Sequence, residues 1–152
     1  MTFSQKIAEL GLEIPVAAKP LAAYIPAVKV GNLVFTSGQL PMKEGILQCE
    51  GKVGGNITVE QGYEAARLCA INCLAALGTV SHVDKVLQVV KVTGFVNSAP
   101  GFSGQPQVMN GASELLGAIF GEQGIHARSA VGMAELPRNA AVEVEMVVLV
   151  KE

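Results

Sequence analysis

Residues 58–80, TVEQGYEAARLCAINCLAALGTV, have the periodicity of a helix and little that suits another structure. Thr58 stands three residues before Gln61, the spacing at which each side chain can satisfy the other residue's free backbone N–H. Ala65, Leu68, Cys69, Asn72, Cys73 and Ala76 then recur at helical intervals, and Gly78 closes the run. A helix this apolar needs a second layer to cover it.

The flanking segments supply that layer. In AVKVGNLVFTSGQLP (27–41), Gly31-Asn32 lies between two β-branched runs and predicts a tight hairpin. Gly38, after the second strand, leaves room for another group to approach closely. VDKVLQVVKVTGFVNS (83–98) is dense in valine and predicts a strand. GQPQVMNGASELLGAIFGEQG (104–124) predicts a second helix, with Val108, Met109, Leu115, Leu116, Ile119 and Phe120 inward. Two last strands, 127–135 and 140–150, are joined at Leu136-Pro137-Arg138-Asn139. At the other end, residues 4–12 predict a short helix capped by Ser4 and ended near Gly11. Residues 13–26, with three prolines, are expected to be extended. The four-glycine stretch 42–57 is expected to be a loop with room for a small ribbon.

The order ββ–α–β–α–ββ predicts an α+β chain, a two-layer sandwich of one mixed sheet and two main helices. The strand–helix–strand unit over 83–135 predicts parallel neighbouring strands. No internal repeat or linker divides the 152 residues, so a single domain over 1–152 is expected.

Composition narrows the function classes. Half the residues are hydrophobic and only 16% are charged, with mean hydropathy +0.42. No run of about 18 apolar residues occurs, which argues against a membrane span. The low charge therefore points to an obligate oligomer, whose interface resembles a core cut in half. A net charge of −2 and no basic cluster give no footprint for nucleic acid. The first 15 residues lack the apolar stretch of a signal peptide. Cys49, Cys69 and Cys73 are an odd number without disulfide spacing, so a reducing, cytoplasmic setting is expected. Cys69 and Cys73 lie one helical turn apart, but no second Cys/His pair completes a metal site. They read as small core residues. Cys49, in a loop, reads as an exposed thiol. EGKVGGN fits no phosphate-binding fingerprint, and no nucleophile elbow or His-Glu-x-x-His motif is present.

Charged residues at two places in the last 25 residues invite a chemical reading. Arg128 opens a strand whose same-side neighbours, Ala130, Gly132 and Ala134, are small, so something bulky can lie there with a guanidinium at its mouth. Such a group is suited to hold a carboxylate by two parallel hydrogen bonds. Glu143 and Glu145 alternate with Val142, Val144 and Met146, and a half-buried carboxylate there could place water or move a proton. By burial habits alone, solvated surface charges are the favoured reading of both. A simple hairpin would pair Arg128 with Val148 and leave Glu143 five residues, roughly 17 Å, from that level. A site using both charges therefore needs an intervening strand or a second subunit.

Tyr24 in AAYIPAVKVGNLVFTSGQLP, Asn110 in the second helix, and ARSAVGMAELPRNAAVEVE together resemble the Rid (YjgF-like) deaminases, also known as endoribonuclease L-PSP or translation-inhibitor proteins. The resemblance covers most of residues 22–150. It implies a chorismate-mutase-like fold and a homotrimer with a site in each intersubunit cleft. It also implies that Arg128 holds a substrate carboxylate and that Glu143 orients or activates water. Tyr24, Asn110 and the Ser37-Gly38 backbone would line the cleft. Ala130 stands where a cysteine is common, and its backbone N–H can serve there. The implied reaction is hydrolysis of enamines or imines of the 2-aminoacrylate type to 2-keto acids and ammonia, with no metal or organic cofactor. The chain departs from short members in an N-terminal extension (1–21) and in long segments at 42–57 and 97–107. Two other readings compete: a non-catalytic trimer that binds small carboxylates, and an RNA-cleaving translation inhibitor, which the acidic pI near 5.7 disfavours.

Overall fold

A computed structural model describes residues 1–17 and 23–152 of the chain. Helix α1 (Phe3–Glu9) is followed by strands β1 (Ala27–Val30) and β2 (Leu33–Thr36), the short ribbon β3 (Met42–Lys43) and β4 (Ile46–Leu47), and helix α2 (Val59–Leu77). Strand β5 (Val86–Asn97), helix α3 (Gln105–Phe120) and strands β6 (Ala127–Met133) and β7 (Val142–Val150) complete the order. The main sheet runs β1-β2-β7-β5-β6. All its pairs are antiparallel except β5 and β6, which are parallel, as the strand–helix–strand unit predicts. The fold is α+β, with α2 and α3 forming the second layer. No helix among the described residues is long and apolar enough to cross a membrane.

Local chemistry explains most boundaries. The Thr58–Gln61 capping box forms, and α2 stops at Gly78. The β1–β2 turn closes through Gly31 at φ 57°, a conformation glycine adopts without steric cost. The first helix differs from expectation: its cap is Thr2, whose side chain accepts from Gln5 in a capping box of its own. Ser4 lies inside α1. Its N–H (2.7 Å) and hydroxyl (2.8 Å) donate to Asp84, tying the N-terminal segment to the turn before β5. The extended reading of 13–26 falls partly on 18–22, outside the described residues; 13–17 and 23–26 carry neither helix nor strand.

The core lies between the helices and one face of the sheet. Val34, Val89, Val92, Val96, Val142, Val144, Met146 and Val148 on that face are buried, as are Leu74, Leu77, Met109 and Leu116 of the helices. Truncating any one of these leucines to alanine costs about 2–5 kcal/mol. The helices approach backbone to backbone at Gly111, where a Cβ would lie 2.0 Å from the Tyr63 carbonyl oxygen. Among the described residues no helix covers the opposite face of the sheet. Val28, Phe35, Val131 and Met133 all lie exposed on it, beside half-buried Phe95 and Val147.

The two long segments pack on each other. Val53 N–H donates to Asn97 O (2.8 Å), and Ala99 N–H donates to Val53 O (3.0 Å). The fully buried Asn97 side chain accepts from Lys52 Nζ (2.8 Å) and donates to Asn139 Oδ1 (3.0 Å) and Ala140 O (3.1 Å). One amide thus joins both segments to the β6–β7 connection.

Candidate functional site

β6 and β7 do not pair as a hairpin, because β5 lies between them and pairs with both. Arg128 is level with Val92 and, through it, with Met146. Both neighbours are buried under the helices, so Arg128 projects to the helical side. Glu143 is level with Phe95 and, through it, Val131, on the uncovered side. Two strand spacings and three residues separate the two charges, about 14 Å between Cα atoms, and the sheet itself stands between their side chains. The sequence-predicted residues therefore fall into two groups.

The first group forms around Arg128. Its Nη1 donates to Asn110 Oδ1 (2.9 Å) and to Ser113 Oγ (3.1 Å), and its Nη2 donates to Pro106 O (3.4 Å). Residues 106, 110 and 113 lie on one stripe of α3, so the small residues of β6 do admit something bulky: this helix. All three acceptors are neutral. Among the described residues the only ion pairs are Lys6–Glu9 and His82–Asp84, and neither involves Arg128. A guanidinium has five N–H groups. Among the described residues three are engaged, which leaves Nε–H and one Nη2–H, on two nitrogens of the same guanidinium carbon and able to take the two oxygens of a carboxylate. Ala130 follows on the same side of β6 and is half buried. Met133 O accepts from Ser98 N beyond the end of β5. Alternate residues of a strand direct their backbone groups to opposite sides, so Arg128, Ala130 and Gly132 turn their N–H groups to the free edge of β6.

The second group forms around Glu143. A Cβ on Gly38 would lie 2.9 Å from Glu143 Cδ and 3.0 Å from Oε1, so the glycine makes room for the carboxylate. The neighbouring backbone is fixed by Gln39 N–H to Val144 O (2.8 Å) and Val144 N–H to Gln39 O (3.0 Å). Ser37 donates its N–H to Pro26 O (2.7 Å) and its hydroxyl to Ile25 O (2.6 Å), which ties the strand end to the segment carrying Tyr24. Tyr24 is 56% exposed. Burial pushes the Glu143 carboxyl above the usual carboxylate range, and the negative charge of Glu145 adds to the shift. A carboxyl so placed can hold a proton closer to neutral pH than an exposed one.

Sequence reasoning missed Ser113 and His126. Ser113 Oγ lies 2.9 Å from His126 Nε2, and His126 Nδ1 lies 2.6 Å from Gly124 O. The available signal was Ser113 standing three residues after Asn110 on a predicted helix, and His126 two residues before Arg128.

The cysteines lie apart from this chemistry. Cys69 and Cys73 are fully buried between α2 and β7. Burial raises both thiols, that of Cys73 to about 12, so neither supplies a thiolate nucleophile. Cys49, expected to be exposed, is half buried and packs against the core, and burial raises its thiol too. Among the described residues no group of three or more His, Cys, Asp or Glu side chains could hold a metal ion.

The chain as a whole is similar to several known proteins. Residues 4–150 match the family described as "YjgF/chorismate_mutase-like, putative endoribonuclease". The chain is 44% identical over 142 residues to Protein TCP17 of Trypanosoma cruzi, covering 91% of this chain and 88% of that protein. It is 33% identical over 140 residues to the 2-iminobutanoate/2-iminopropanoate deaminase of Dermatophagoides farinae, covering 92% and 95%. A crystal structure of an Agrobacterium tumefaciens protein of unknown function superposes with a TM-score of 0.90 at 43% identity, covering 98% of this chain and 92% of that one.

Proposed function

The chain belongs to the YjgF/chorismate mutase-like family, and from that premise we propose that it hydrolyses small 2-imino acids, and the enamines that tautomerise to them, to 2-keto acids and ammonia. The observation that carries this reading is Arg128: a guanidinium held by three neutral acceptors, with Nε–H and one Nη2–H left for an incoming carboxylate. The relative named as a 2-iminobutanoate/2-iminopropanoate deaminase supports the same chemistry.

The site is completed between copies of the chain in a homotrimer. Arg128 and Glu143 face opposite sides of one sheet, so a single chain cannot bring both to one small molecule. The uncovered sheet face supports assembly: Phe35 is 43% and Val131 41% exposed beside Val28 and Met133, an apolar patch of the kind that marks an interaction surface. Arg128 and the Ala130 N–H from one subunit then meet Glu143, the Ser37-Gly38 backbone and Tyr24 from its neighbour.

The reaction needs orientation more than force. Arg128 fixes the carboxylate, which sets the imine carbon in one place. Glu143 takes a proton from water as the water oxygen bonds to that carbon and the C=N electron pair moves to nitrogen. Glu143 then returns that proton to nitrogen, which gives a carbinolamine. It next takes the carbinolamine hydroxyl proton and passes it to the amino nitrogen, the oxygen lone pair closes the C=O as the C–N bond breaks, and ammonia leaves with the 2-keto acid. No electron is gained or lost overall, and none of these steps calls on a metal or organic cofactor.

The test is to supply purified protein with 2-aminoacrylate generated by a serine dehydratase and to follow pyruvate release above the spontaneous rate. Accelerated release in the wild type, lost in Arg128→Ala, is expected. Saturable binding of keto acids without turnover would instead favour a non-catalytic carboxylate-binding trimer.

A further inference from the structure

We infer that Ser113 and His126 form a hydrogen-bond relay that positions the Arg128 guanidinium for the substrate carboxylate. The inference rests on the reading of Arg128 under Proposed function and names two residues that it does not include.

The polarity of the relay follows from its far end. Gly124 O can only accept, and it lies 2.6 Å from His126 Nδ1, so Nδ1 carries the proton. In a neutral imidazole, Nε2 is then the acceptor. Its partner at 2.9 Å is Ser113 Oγ, whose one proton is therefore directed to the histidine. That leaves the serine lone pairs to receive Arg128 Nη1–H at 3.1 Å. A carbonyl with no proton to give thus fixes the orientation of every bond up to the guanidinium.

The competing arrangements show why the histidine matters. A serine inside a helix readily turns its hydroxyl back to the carbonyl one turn earlier. Without His126 the Ser113 hydroxyl is free to make that turn. Arg128 would then share a rotating partner and rely on Asn110 and the longer bond to Pro106 O. A cavity of ≈ 280 Å³ opens beside the relay, lined by Ser113, Gly117, Gly124, Ile125, His126 and Arg128. On that side hydrogen bonds, not packing, hold the three side chains in place.

His126 and Ser113 are positioning residues, since neither is required to touch substrate. The effect of removing either should fall on carboxylate binding. Ser113→Ala and His126→Ala should each raise KM about tenfold, the weight of one hydrogen bond to a charged group, with kcat within about threefold. Because both act through one chain of bonds, the double variant should be no worse than either single variant. Ser113→Thr, which keeps the hydroxyl, should return KM to near the wild-type value.

A second measurement reads the relay without turnover. In ¹⁵N–¹H spectra of the full-length protein at mildly alkaline pH, neutral His126 should be the Nδ1–H tautomer. His82 is the only other histidine, and a His82→Asn sample assigns the signals. An Nε2–H tautomer at His126 overturns the relay whatever the activity. So do wild-type kinetics in both alanine variants when Arg128→Ala is inactive. If the wild type shows no imine hydrolysis, the proposed reaction fails on its own. The relay is then read by calorimetric binding of 2-oxobutanoate: about tenfold weakening in the two alanine variants supports it, and unchanged binding overturns it.

Discussion

Arg128 and Glu143 lie on opposite faces of one sheet, with β5 between their strands. Each has its own supports: Asn110, Ser113 and Pro106 for the arginine, Gly38 for the glutamate. The chemistry proposed for this chain depends on bringing the two half-sites of neighbouring subunits together.

Arg128→Ala should lower kcat/KM for 2-iminopropanoate by about 10²–10³, the loss expected when the charged hydrogen-bond partner of a bound carboxylate is removed. Arg128→Lys should recover little of it, because an ammonium cannot reproduce the fork that holds Asn110 and a carboxylate at once. Steady-state kinetics with a dehydratase-coupled supply would measure both.

Glu143→Gln should lower kcat by about 10²–10⁴ with a smaller change in KM, as for a lost general base. It should also change the pH dependence of stability. The folded-state pKa of Glu143 is raised by burial, then by Glu145. Between the ordinary carboxylate value and the raised one, the folded chain holds a proton that the unfolded chain has released. Wild-type stability therefore falls as pH rises through that window. Glu143→Gln should gain stability relative to wild type across the same window and match it at lower pH. Urea titrations at a series of pH values, at fixed protein concentration, would show the crossover.

Gly38→Ala tests whether the glutamate is placed by the room left beside it. The new methyl would sit 2.9 Å from Glu143 Cδ, so the carboxylate must move. Activity should fall about tenfold to a hundredfold, in keeping with a displacement near 1 Å. Unfolding free energy should change by no more than the about 1–3 kcal/mol of an overpacked contact.

Two glycines of α3 should respond in opposite directions. At Gly111 a Cβ would meet the Tyr63 carbonyl oxygen at 2.0 Å, whereas at Gly117 nothing lies within 4 Å. Gly111→Ala should destabilise by about 1–3 kcal/mol or more, because α2 must move away. Gly117→Ala should stabilise by about 0.5–1 kcal/mol through helix propensity. Denaturant midpoints of the two variants, compared at one protein concentration, would separate the effects.

The fold could be read from the sequence wherever local chemistry decides the structure. The Thr58–Gln61 box, the Gly31-Asn32 turn and the valine-dense β5 each carry their own signal. The cap of α1 was misplaced because Ser4 looks like a cap, yet it is drawn away by Asp84, 80 residues on. The half-sites were legible only in part, since Gly38 announces a close approach but not that Glu143, 105 residues later, makes it. Ser113 and His126 were marked only by their spacing from Asn110 and Arg128, because their contact depends on how α3 docks against β6. Spacing could show that Arg128 and Glu143 do not meet in a hairpin. It could not show that they face opposite sides, which follows from the register with β5.

The intersubunit site is tested most directly by mixing two inactive variants. Arg128→Ala and Glu143→Gln chains would be unfolded together in equal amounts, refolded, and assayed for 2-aminoacrylate hydrolysis. If each cleft takes its arginine from one subunit and its glutamate from the next, about one cleft in four receives both intact residues in a randomly mixed ring, and about a quarter of wild-type activity should return. If the mixture stays as inactive as its parents while wild-type chains treated the same way recover, the two residues do not meet across a subunit boundary, and the proposed site is wrong.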